Sequence, residues 1–228
     1  MTTPEPVADA PHLTARFWRT RRSAAVAGIA FAVLLLTAMT MMRLALLDDS
    51  LDALKSDATN RRLIGWSLHL VPFAGIAFLW FIGVVREQLG EVEDKLFSTV
   101  FLGSGLLFLA MLFTGAAATD SILEVAGGPN PDAGLFAFGR GNTQTLISVY
   151  AMRMAAVFTL SVSTVGIRAG ALPRWVSYLG YASALVLLLA GGEHKWTQLV
   201  FPLWVLLVSV VILLTPPRDR SSTPHPTA

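Results

Sequence analysis

The chain has no cysteine among its 228 residues. Disulfides, thiolate metal sites and cysteine nucleophiles are therefore excluded. Charge is scarce as well. Asp, Glu, Lys and Arg together make up 14% of the residues, against roughly a quarter in an ordinary soluble domain. No Asp or Glu falls in the middle of any long apolar run, which removes the buried carboxylate relays of many transporters. The four histidines, His12, His69, His194 and His225, include no pair at ligand spacing. Zinc and haem sites are thus not expected. The patterns H-E-x-x-H, G-x-S-x-G, Walker A and Asp-rich metal loops are all missing. The expectation is a non-catalytic accessory or interaction component, not an enzyme, with no cofactor. A formal charge of +2 is also too small to imply nucleic-acid binding.

What the chain does have is hydrophobicity. It is 54% apolar, with a mean hydropathy of +0.61. Six apolar runs stand out: Ala24–Leu47, Leu63–Val85, Leu96–Ala118, Thr145–Ile167, Trp175–Ala190 and Trp196–Thr215. A bilayer-spanning helix needs about 20 such residues. Lone strands cannot satisfy their backbone in lipid, so each run is expected to be helical. The fifth is the shortest, with Pro173 expected in its first turn. The sequence predicts an all-α, polytopic six-helix transmembrane bundle over residues 23–215. Disordered cytoplasmic tails, rich in Pro, Ser and Thr, are expected at 1–22 and 216–228. The first run starts too late and runs too long for a cleavable signal.

Orientation follows from the basic flanks. With both termini in the cytoplasm, ten Lys and Arg residues fall inside, among them Arg16, Arg19, Arg86 and Arg174, and six outside, among them Arg43, Arg61 and Arg140. The expected location is the cell (inner) membrane. Short connections such as "GGEHK" make the last two helices antiparallel neighbours. The outer segment "TDSILEVAGGPNPDAGLFAFGRGN" is longer, and its "LFAF" patch reads as a bilayer-surface element or as a lid. Trp66 and Pro72 share the spacing of Trp196 and Pro202, a hint of similarity between the second and sixth helices. Gly103, Gly105, Gly115 and Gly180 offer small faces for close helix approach.

One span carries a charge. "QTLISVYAMRMAAVFTLSVSTVG" holds Arg153 and no acid. At 100° per residue, Asn142, Tyr150, Arg153, Ser161, Thr164 and Arg168 share an arc of about 100°. One-sided polarity predicts that this stripe faces other helices or a wet cavity. Arg153 sits about 13 Å inside the outer end at 1.5 Å per residue and can snorkel outward. Its nearest acids are Asp120, Glu124 and Glu193, and Pro72 and Pro202 free carbonyls at Leu68 and Gln198. Two readings stay open. Arg153 staples neighbouring helices, or His69, Asp120, Tyr150 and Arg153 form an outward-facing pocket for an anionic group. The partners to expect are the lipid bilayer, a lipid head group or small anion, and another membrane protein.

"MRMAAVFTLSVSTVGIRAGALPRWVSYLGYASALVLLL" (Met152 to Leu189), "FLWFIGVVREQLG" and "STVFLGSGLLFLAMLF" resemble segments of small bacterial multi-pass membrane proteins of unknown function, of the actinobacterial type. The resemblance covers most of the spans and not the tails. It implies six-helix topology in the cell membrane, and it implies no activity and no catalytic residue.

Overall fold

The computed structural model describes residues 10–45, 51, 54, 57–89, 95–190 and 196–214, with the backbone alone at 10–22, 24, 87–89 and 95–97. Six helices and no strand appear among the described residues. They are α1 (Ala10–Ala45), α2 (Ala58–Leu89), α3 (Lys95–Gly127), α4 (Ala133–Arg168), α5 (Arg174–Ala190) and α6 (Thr197–Leu214). Five are long and apolar enough to cross a membrane. The sixth, α5, has 17 residues and spans about 25 Å at 1.5 Å per residue. That falls just short of a hydrocarbon core about 30 Å thick.

Helix limits follow local chemistry. The Asp57 carboxylate accepts from the backbone N–H of Thr59 at 2.8 Å and caps α2. Asp132 accepts from Gly134 and Leu135 at 2.7 and 3.0 Å and starts α4 in the same way. Between α4 and α5 the chain turns at Gly170, whose φ of +63° suits a residue without Cβ. The N–H groups of Ala171 and Leu172 then reach back to the Gly166 carbonyl at 3.0 and 3.2 Å, closing the helix end. The Pro173 carbonyl accepts from Val176 and Ser177, so the proline opens α5. The backbone of α1 is already helical from Ala10 and takes in part of the stretch expected to be a disordered tail. Residues 1–9 and 215–228 lie outside the described residues.

The helices form two groups. One is α1 with α2 and α6, and the other is α4 with α3 and α5. They are joined by five phenylalanines, one each from α1, α2, α3, α4 and α6. Phe78 lies at the centre, with ring centroids 4.6 Å from Phe31, 5.3 Å from Phe108, 5.1 Å from Phe158 and 5.8 Å from Phe201. All five are fully buried. Tilted and edge-on pairs of this kind match the ring quadrupoles. In a membrane, such packing holds helices together where hydrophobicity cannot.

A second, smaller cluster sits at the end that carries the α1–α2 and α3–α4 links, here termed the upper end. It holds Ala45, Leu54, Ile64, Ala126 and Phe136. The Arg61 side chain donates to the Leu54 carbonyl at 2.7 Å and ties the α1–α2 link onto α2. Between the phenylalanine hub and this upper cluster, the two helix groups leave a space.

Candidate functional site

The space is a chamber of about 260 Å³. Its walls come from α1, α2, α3 and α4, with Gln198 of α6 at one side. Leu35 and Leu112 lie one helical turn beyond Phe31 and Phe108, so the hub forms the floor. Leu54, Ile64 and Phe136 of the upper cluster form the roof. Most of the lining is aliphatic.

The face of α4 that lines the chamber repeats at helical spacing: Phe136, Arg140, Thr143, Gln144 and Ile147. Phe136 is buried at 6% exposure, whereas its neighbours Leu135 and Phe138 are exposed. The "LFAF" patch thus contributes one ring to the roof and leaves Leu135, Ala137 and Phe138 outside. Arg140 and Gln144 are exposed, which puts the mouth beside this part of α4. Below it, α4 widens into a π-helical turn at Thr145–Ala151. Such turns are frequent at functional sites. Gly115 of α3 makes room for it. A Cβ there would lie 2.5 Å from the Ile147 side chain.

The polar groups are few and placed at one side. Gln198 donates from Nε2 to the Ser148 hydroxyl at 2.6 Å, and both side chains are buried. This bond joins the π turn of α4 to the 3₁₀ turn that opens α6, Thr197–Leu199. The Thr119 hydroxyl donates to its own helix at Gly115. The Thr143 hydroxyl is buried and finds no hydrogen-bond partner among the described residues. Arg43, in the last turn of α1, is half-buried in the wall. No Asp or Glu is among the described residues that line the chamber.

The four residues singled out from the sequence lie elsewhere. His69 is exposed on α2, and its Nδ1 sits 2.7 Å from its own Gly65 carbonyl. It shares an outward face with Trp66, Phe73 and Trp80, each more than 60% exposed. Asp120 is exposed on α3, and Tyr150 and Arg153 are exposed on α4. None of the four lines the chamber. Arg153 makes no hydrogen bond or ion pair among the described residues. Glu193 and His194 lie outside the described residues.

The polar stripe on α4 divides. Asn142, Tyr150, Arg153 and Arg168 are exposed and point away from the bundle, whereas Ser161 is buried and Thr164 half-buried. The opposite face carries Ala151, Ala155, Ala156 and Phe158, all fully buried. Small residues let neighbouring helices approach, and Phe158 completes the hub. Lower on α4, Ser161 and Thr164 bond to their own helix carbonyls. Thr164 also accepts from the Tyr181 hydroxyl of α5 at 3.1 Å.

Sequence reasoning missed Arg43, Arg140, Thr143, Ser148 and Gln198 as a group. The face of α4 at i, i+4, i+7 and i+11 was a readable signal for two of them. The meeting of Ser148 with Gln198, fifty positions apart, had no sequence signal.

An apolar helical bundle with a mostly aliphatic chamber at one end defines a class of membrane protein and no more. Comparison with protein-family models, with curated proteins and with solved structures gives no match.

Proposed function

We propose that the chain is a non-catalytic integral membrane protein of the cell membrane that holds an apolar or amphiphilic small molecule in the chamber. Both termini then lie in the cytoplasm and the upper end faces outward, as the basic flanks favour. The observation that carries this reading is the 260 Å³ space between the two helix groups. Native interiors pack with few voids larger than a water molecule. A space of this size lined by aliphatic side chains, with a few polar groups at one side, has the character of a ligand site. Its volume lies just under the ~300–1,000 Å³ of drug-sized pockets and suits one hydrocarbon chain better than a two-chain lipid. Large exposed apolar side chains on the outside, such as Trp80 and Leu189, suit contact with the bilayer.

The test is to fill the chamber. Ala38 and Ala116 both line it, and Ala38→Phe or Ala116→Phe would place a ring inside. The expected outcome is loss of binding of a fluorescent fatty-acyl probe by the purified protein, with helicity by circular dichroism retained. Undiminished probe binding by both filled variants would rule the chamber out as the site.

A further inference from the structure

We propose that the molecule held in the chamber is a single-chain amphiphile with an acidic head group, gripped by Arg43. The inference rests on the chamber reading above and adds the chemistry of the head. Arg43 lies in the wall rather than on the outer surface, half-buried, and makes no hydrogen bond or ion pair among the described residues. A guanidinium offers five donors and no acceptor. Partial burial makes its unmatched charge costly unless an anion meets it. The last turn of α1 favours a cation there, but a helix end offers carbonyl dipoles and no counter-charge. Arg140 of α4 also lines the chamber, but it is already engaged by another contact, so the grip falls to Arg43.

Three further observations fit an anion. The described lining sets the Arg43 guanidinium against no carboxylate. Thr143 brings a buried hydroxyl that lacks a partner among the described residues, a donor suited to a charged oxygen. The rest of the wall is aliphatic, from Leu35 and Met39 to Leu112 and Ile147, and offers a tail nothing but van der Waals contact. Charge near the mouth and hydrocarbon below it reproduce the layout of an amphiphile. A carboxylate and a phosphate monoester share the chemistry that Arg43 would recognise, and either could be the head.

The experiment measures binding to the full-length protein in detergent micelles. Lauric acid, lauryl phosphate and lauryl alcohol share one tail and differ in the head. At least one of the two acids is expected to bind about tenfold tighter than the alcohol, or better, because hydrogen bonds to charged groups are the stronger ones. Whichever acid binds tighter identifies carboxylate or phosphate as the preferred head. In Arg43→Gln, the preference for that acid over the alcohol should be lost. Equal binding of acids and alcohol by the wild-type protein would overturn the acidic head and leave the chamber reading standing. Failure of all three to bind would overturn both. The wild-type comparison needs no variant, so a misfolded Arg43→Gln protein does not spare the proposal.

Discussion

Two arginines of the bundle meet opposite surroundings. Arg43 is turned into the wall of the chamber, and Arg153 is exposed on the outer face of α4. An exposed arginine on a membrane helix can carry its head toward the interface and keep its stem in hydrocarbon. Arg153→Met is therefore expected to leave the bundle assembled, with a stability change within about 0.5 kcal/mol, as for a surface position. Unfolding in mixed micelles would measure it, and loss of assembly would restore the staple reading. The Ser148–Gln198 bond differs, because both partners are buried. Ser148→Ala strands a buried amide N–H and should cost about 1–3 kcal/mol. Adding Gln198→Leu should recover part of that loss. A double mutant as unstable as the sum of the singles would show that the bond carries no coupling. The sequence marked Arg153 because it breaks an apolar run. It hid Arg43, because a basic residue at the end of a span reads as a flank.

At the scale of elements, α4 decides the site. Its capped upper part presents Phe136, Arg140 and Thr143 to the chamber, its π turn presents Ile147 and Ser148, and its lower part joins the hub through Phe158. The 100° periodicity gathered Asn142, Tyr150 and Arg153 onto one face, and all three are exposed together. Periodicity cannot tell which face has neighbours. That depends on where α3 and α5 pack, and the alanines opposite the stripe admit them. The π turn leaves no mark in composition, and its place is held by the missing Cβ at Gly115. Gly115→Leu should displace Ile147 and destabilise the protein by about 1–3 kcal/mol, as overpacking does. Its unfolding midpoint should fall well below that of Gly103→Leu, since a Cβ at Gly103 meets nothing within 4 Å. Equal midpoints would mean that α3 and the π turn are not in close contact.

For the whole molecule, the run lengths of the sequence predict an all-helical bundle, and the structure has one with five helices of spanning length. Hydropathy is legible because every span must satisfy its own backbone. The chamber is not legible in that way. It comes from two helix groups meeting at one phenylalanine hub and parting above it, and it depends on contacts between residues far apart in the chain. In the proposed reading, the same separation gives the bundle its binding site. The most direct measurement of that claim is native mass spectrometry of the full-length protein extracted from its own membrane, in the wild type and in Ala116→Phe. The account predicts one bound single-chain acidic amphiphile per wild-type chain and none on the variant. A wild-type protein carrying no such adduct, or an adduct that persists unchanged on the filled variant, would contradict it.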